Sequence, residues 1–376
     1  EELGAVQRRR FVHHDELMRV VDAEGRSLIV YCDPDRLEAH MKALSPADGP
    51  LIEALCRGVR QFTSFDMTLM QRKPKSLMTP LDWGKLGLQM LPYVMPLAKW
   101  GLVSAQDLAG RFKDPFLRRA VAYMFTWPEA PVMVGLSLLA AMHNRNAGFP
   151  VGASLEFARA IERRYLALGG QIHYRAQVEK ILTEDDPSGH GKRAVGVRLY
   201  DDSVHHADYV ISAADGRGTL FDMLGDEFID RRLKRTYDGH LPIHAQAQIS
   251  LGVKRELCAE PHWATYLLDE PISIAGEDRY EIGVKHYCFD PSLAPAGKSV
   301  LIAMMTTRYG YWQRIYGRRL YDTEQTQVSD IMIDYLEELY PGIRADIEVV
   351  DEATPLSYER YTGNWQGSSC GWLLTK

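Results

Sequence analysis

Cysteine is scarce in this 376-residue chain. The five residues Cys32, Cys56, Cys258, Cys288 and Cys370 are odd in number and contain no CxxC spacing. That argues against a disulfide scaffold or a structural zinc site and favours a reducing, cytoplasmic compartment. Basic charge is not in excess. Lys and Arg number 44 against 50 Asp and Glu, a net charge of −6, which argues against duplex nucleic acid as a partner. No signal peptide and no initiating Met are present, so the Glu1-Glu2-Leu3-Gly4 start and the Trp372–Lys376 end read as cuts through a longer protein. Metal-ligand spacing is missing among the 12 histidines. His13-His14 and His205-His206 are adjacent pairs, and Pro242 breaks the helical face that His240 and His244 would need to share. No metal site is expected, and no G-x-S-x-G nucleophile turn occurs. A complete G-x-G-x-x-G loop is also absent. The nearest approach is Gly216-Arg217-Gly218, with Phe221 in place of the third glycine, and it reads as a tight turn into a helix.

What is present is ordinary for a globular protein, at 46% apolar and 25% charged residues. Alternation predicts strands at Arg10–His13, Leu17–Asp22 and Leu28–Tyr31, joined by a turn at 23–26. Asp33-Pro34 and Ser45-Pro46 are helix starts, because each supplies a cap and a residue fitted to the first turn. Ser154 is expected to cap a helix that Gly169-Gly170 ends. Strands follow at 172–174, 178–183, 194–200 and 209–212, then at 245–253, 263–268, 280–287 and 300–306. A helix over about 323–340 stops at Pro341-Gly342, and 346–350 reads as a strand.

Residues 77–105 combine Leu, Met, Trp and Lys with Pro92 and Pro96. A spanning helix needs about 20 uninterrupted apolar residues, so the segment reads either as a helical subdomain covering a core or as an amphipathic element on a bilayer surface, with Trp83 and Trp100 as the residues that test it.

Several motifs occur in a fixed order. These are Gly148-Phe149-Pro150-Val151-Gly152-Ala153-Ser154, the helix to Gly169-Gly170, Val178-Glu179-Lys180-Ile181, Ala194-Val195-Gly196-Val197 and Asp208–Asp215. The ending Ala353–Asn364 with Gly371-Trp372, and the opening Glu2-Leu3-Gly4, complete the series. The chain thereby resembles the phytoene desaturase, carotenoid isomerase and retinol saturase family, within the amine-oxidase-like flavoproteins. It departs from the family at Ala153, where a second glycine is common, and at Gly216, where proline is common.

The resemblance implies an α/β and α+β fold. In it, an incomplete FAD-binding Rossmann-like domain is interleaved with a substrate domain of mixed sheet and helices. The implied division is 1–147 for the first part of the substrate domain, 148–225 for the FAD portion, 226–352 for the second substrate part, and 353–376 for the return to the flavin. The resemblance also implies FAD as cofactor, with NAD(P) as an electron partner. Val178, Ser212, Ala213, Ala214 and Asp215 are the implied cofactor contacts, and Arg360, Tyr361, Asn364 and Trp372 the candidates beside flavin and substrate. The implied reaction is hydride exchange at a carbon–carbon bond of an apolar polyene or isoprenoid-like substrate. The substrate cavity is expected between the 77–145 helices and the 243–306 sheet. A non-catalytic carrier of prenyl groups and a flavin amine oxidase are the alternatives. Without the glycine loop, residues 1–376 alone are expected to bind FAD poorly and to be inactive.

Overall fold

The computed structural model describes residues 3–7, 9–65, 73–125, 127–189, 191–240 and 243–373. Glu1, Glu2, Pro242 and Leu374–Lys376, named above, lie outside the described residues. β1 (Phe11–Val12) precedes a hairpin of β2 (Glu16–Val21) and β3 (Ser27–Tyr31). The Asp22 carboxylate closes its turn by accepting from the Arg26 amide and guanidinium. Asp33 accepts from the amides of Asp35 and Arg36, and Pro34 takes the first position of α1 (Pro34–Leu44). The Pro46 turn leads into α2 (Gly49–Phe62). Then come α3 (Pro80–Met90), α4 (Val94–Gly101), α5 (Ala105–Ala109), α6 (Pro115–Tyr123) and α7 (Val132–His143). These helices, α3 excepted, close on β2 and β3 around Leu37, Leu55, Trp100, Phe112, Leu117 and Leu136.

α3 buries none of its side chains. Leu77, Leu81, Leu88, Leu91, Met95 and Leu102 are all exposed along this stretch, as is Trp83. Trp100 corrects the bilayer reading for its half of the pair. It is a core residue, packed so closely on α2 that a Cβ on Gly58 would come 3.0 Å from its Nε1. Among the described residues no helix is long and apolar enough to cross a membrane.

β4 (Phe149–Pro150) pairs with β1 and leads to α8 (Ala153–Ala167). The chain enters α8 through left-handed Gly152 and Ala153, at φ 87° and 53°, which makes Gly152 the N-cap in place of the expected Ser154. Asp290 fixes this entry, its carboxylate accepting from the Gly152 amide at 2.8 Å. Gly169 ends the helix at φ 87°, as its sequence indicates. β5 (Val178–Asp185), β6 (Lys192–Leu199) and β7 (Val204–His206) form an antiparallel sheet with β5 at an edge. Two expected strands, 172–174 and 209–212, do not form. Tyr209 and Ile211 alternate like strand residues yet are 87% and 91% exposed. A strand needs a neighbour for its backbone groups, and among the described residues none flanks this segment.

After α9 (Arg231–Arg235) the chain builds its main sheet from β8 (Ile243–Val253), β9 (Trp263–Ile274), β10 (Glu277–His286) and β11 (Ser299–Thr307). The helices α10 (Tyr309–Gly317), α11 (Tyr321–Leu339) and α12 (Ile343–Asp346) precede β12 (Ile347–Ala353), α13 (Pro355–Thr362) and β13 (Ser368–Trp372). The strand order is β12–β8–β11–β10–β9–β2–β3, with β13 also paired to β8. All contacts are antiparallel except that of β2 with β9. One face packs on α11 through Ile249, Ile282, Val284 and Leu301 against Met332 and Leu336. The register places Thr265, Glu281, Gly283, Lys285 and Met304 on the opposite face.

The β9–β10 hairpin also brings Cys258 and Cys288 together, 30 residues apart in sequence, with Cα atoms 5.5 Å apart in a disulfide. This corrects the expectation of unpaired cysteines, since the contact is made by sheet pairing and not by local spacing. Cys32 and Cys56 remain buried thiols and Cys370 an exposed one. α13 ends at Thr362 and is closed by left-handed Gly363.

Candidate functional site

The segment after β7 meets the C-terminal motif at one junction. Ser212 Oγ lies 2.7 Å from Thr219 Oγ1, and Asp215 accepts from the Gly218 amide at 3.0 Å, which starts the helical turn Gly218–Met223. β5, headed by Val178, packs on that turn. Gly216 admits the close approach of Tyr237, since a Cβ there would stand 2.8 Å from its hydroxyl oxygen. The Tyr237 ring then touches Phe221, Trp365 and Trp372, with centroids 5.2, 5.4 and 4.8 Å away. Arg217 lies over Phe221 and Trp365. Burial, aided by the Asp215 charge, raises the Tyr237 pKa, so its hydroxyl stays protonated. Sequence reasoning missed Tyr237, because nothing local distinguishes it from any aromatic after a basic helix.

Ser212–Asp215 and Trp372 are therefore linked through Tyr237 and the 218–223 turn, and the strand that Val178 heads contacts that turn. Arg360 and Tyr361 line a different cavity, with Tyr309, Tyr321 and Tyr358. The Arg360 guanidinium lies 5.6 Å from the Tyr361 ring centroid at the end of α13, and Tyr361 is 81% exposed. Asn364 spans the loop into β13, where its Nδ2 donates to the Ser368 carbonyl and its amide to Thr362 Oγ1.

A second feature is the cavity between helical layer and sheet, enclosing about 210 Å³. Tyr123 of α6 and Trp127 and Glu129 of the α6–α7 connection line it on one side, and Trp263, Glu281 and Lys285 of the sheet on the other. Its lining residues fall within the 77–145 and 243–306 ranges. The Tyr123 hydroxyl donates to Glu281 Oε2 at 3.0 Å. Burial raises the pKa of both groups, and the hydrogen bond to Glu281 offsets part of the effect on the carboxyl. Lys285 Nζ lies 3.6 Å from the Trp263 ring centroid, and burial lowers its pKa. Neither acid nor amine was singled out from sequence, since a charged residue on a strand reads as solvent-facing until the opposite layer is placed. Among the described residues there is no cluster able to hold a metal ion.

The first junction suits the adenosine half of a flavin nucleotide. Val178 opens an edge strand, so one side of its backbone has no strand partner. Ser212, Ala213 and Ala214 are exposed, small and outside any sheet. Small side chains beside unpaired main-chain groups let a nucleotide approach the backbone closely.

Residues 97–358 match the family described as flavin containing amine oxidoreductase. The prolycopene isomerase of Daucus carota is 25% identical over 275 residues, 70% of this chain and 44% of the relative. A lycopene-forming phytoene desaturase of Pseudescherichia vulneris is 24% identical over 89% of this chain and 67% of its own length. The all-trans-retinol 13,14-reductase of Danio rerio is 25% identical over 68% of this chain and 46% of its own. This chain spans less than half the length of the prolycopene isomerases it matches. Its fold is that of an oxidoreductase from Methanosarcina mazei, with a TM-score of 0.51 at 20% identity over 92% of this chain and 70% of the other. Putrescine oxidase shares it at a TM-score of 0.52 and 13% identity, over 95% of this chain and 70% of that one.

Proposed function

The chain belongs to the flavin containing amine oxidoreductase family, whose cofactor is FAD, and from that premise we propose that it oxidises, reduces or isomerises a carbon–carbon bond of an apolar polyene or isoprenoid-like substrate. The relatives named for prolycopene, phytoene and retinol support that substrate class. Bound FAD supplies the hydride chemistry.

The chain's own residues do the rest. Val178 and Ser212–Asp215 hold the adenosine side, and Tyr237 ties them to Trp372. Trp127, Trp263, Met304 and Met305 wall the cavity against water. When a hydride moves at one carbon, the neighbouring carbon must lose or gain a proton. The Glu281 carboxyl, held by Tyr123 and raised in pKa by burial, is the group able to hold that proton inside the cavity. The observation carrying the proposal is this buried acid on the wall of a Trp- and Met-lined cavity in a flavoprotein fold. The visible spectrum of the purified full-length protein tests it. Flavin bands that bleach anaerobically with a polyene and return in air are expected. A protein without flavin, or one whose flavin responds to polyenes in neither its oxidised nor its pre-reduced state, overturns the proposal.

Peripheral membrane contact belongs to the same proposal, because an apolar substrate resides in the bilayer and the 77–102 stretch exposes Leu81, Trp83, Leu88 and Met95. The full-length protein is expected to co-sediment with liposomes, and Trp83→Ser with Leu88→Ser to weaken this. No sedimentation of the wild type ends the membrane reading.

A further inference from the structure

Glu281 and Lys285 share one face of β10, two residues either side of Gly283. At about 3.3 Å per residue their Cα atoms stand roughly 13 Å apart. The cavity therefore has two unlike ends. At one, Glu281 is bonded to Tyr123 and Glu129 lies close enough to disfavour ionisation of both. At the other, Lys285 rests on the Trp263 ring, and among the described residues no carboxylate lies within ion-pair reach of it. Burial is the cause that lowers its pKa, and no neighbouring anion opposes it.

A buried cation without a counter-ion is unfavourable, and a ring face offsets only part of that penalty. An anion arriving with a ligand removes it. The cavity's 210 Å³ is smaller than the roughly 300–1,000 Å³ of a complete small-ligand site, so it suits one end of a longer molecule. We propose that it receives the carboxylate end of an elongated apolar acid, with Lys285 as the counter-ion. The negative charge of Glu129 at the Glu281 end sets the direction of entry, with the head at Lys285 and the chain passing over Gly283. This deepens the substrate class above and rests on that reading only in taking the occupant to be the substrate.

The test uses the full-length, flavin-containing protein and the matched pair decanoic acid and methyl decanoate, with tryptophan fluorescence as the readout, since Trp127 and Trp263 line the cavity. The wild type is expected to bind the acid at least about tenfold more tightly than the ester, which corresponds to ~1.4 kcal/mol. Lys285→Met is expected to abolish the preference while leaving ester affinity unchanged, and Lys285→Arg to retain it. Should the Met variant fail to fold, Lys285→Gln carries the same expectation. Equal binding of acid and ester by the wild type, or a preference that survives in the neutral variants, overturns the inference. Flavin bleaching by a neutral polyene is read separately. Bleaching without carboxylate preference removes this inference and leaves the oxidoreductase reading, whereas preference without bleaching does the reverse.

Discussion

The Tyr237 ring lies 4.8 Å from the Trp372 ring, joining the segment after α9 to the last strand of the main sheet. With Phe221 and Trp365 it makes Tyr237 the centre of an aromatic cluster beside Ser212–Asp215. Each such pair contributes about 0.5–1.5 kcal/mol beyond burial. Tyr237→Ala is expected to lower stability by about 2 kcal/mol and to reduce bound flavin per protein. Tyr237→Phe keeps the ring contacts and is expected to change both little. Denaturant melts and the ratio of visible to protein absorbance check this, and an alanine variant with full flavin content contradicts it.

Gly367 and Ala153 are opposite cases of left-handed backbone. Gly367 sits at φ 61°, and an added Cβ would come 2.0 Å from the Pro355 carbonyl oxygen. Backbone cannot yield as a side chain does, so Gly367→Ala is expected to cost at least about 3 kcal/mol and to disturb β13. Ala153 carries a Cβ at φ 53°, where glycine is the less strained residue. Ala153→Gly is expected to be neutral or stabilising by up to about 1 kcal/mol. Urea unfolding midpoints compare the two.

Acid sensitivity follows from three histidines around the start of β9. His14 stacks on His262 at 3.8 Å, and His286 Nε2 donates to the Glu260 carbonyl nearby. Burial lowers the pKa of all three, with His262 brought down to about 3. A histidine with a depressed folded pKa is protonated first in the unfolded chain. Its contribution is therefore fully present above about pH 6.5 and is lost as pH falls from there towards 3. Stability is expected to drop by on the order of a few kcal/mol over that window, and His262→Asn to flatten the drop. Denaturation midpoints at a series of pH values measure it.

Glu281→Gln keeps a hydrogen-bond acceptor for Tyr123 but removes the exchangeable carboxyl proton. Turnover is expected to fall about 100-fold or more with flavin content unchanged. Tyr123→Phe removes a bond that favours the ionised carboxylate, so the Glu281 limb of the pH–rate profile is expected to move to higher pH. An unaltered limb would assign it to another group.

The parts of this fold legible in sequence are those whose signals are local. Ser299–Thr307 alternates buried and half-buried residues along β11, and the sequence marks that strand by the continuous apolar run Val300–Met305. Asp33-Pro34 and Pro341-Gly342 mark helix ends through capping chemistry confined to a few residues. What was not legible depends on partners distant in the chain. Tyr209–Ser212 has a strand's composition and, among the described residues, no strand beside it. Cys258 meets Cys288 only once β9 and β10 pair. In the candidate site, motif order pointed to Ser212–Asp215 and Trp372, but Tyr237, which joins them, and the facing pair Tyr123 and Glu281 appear only after the layers are assembled.

Gly283 forms ordinary extended backbone, and a Cβ there would find only the Met304 carbonyl oxygen, at 3.5 Å. Chain geometry tolerates a larger residue at that position; the missing side chain is a matter of space. Valine or leucine in its place would act as a stopper in the floor between the two charged ends. The length of chain the pocket accepts is thereby adjustable at one codon, shortening the preferred guest without touching the groups that hold its head or move its proton.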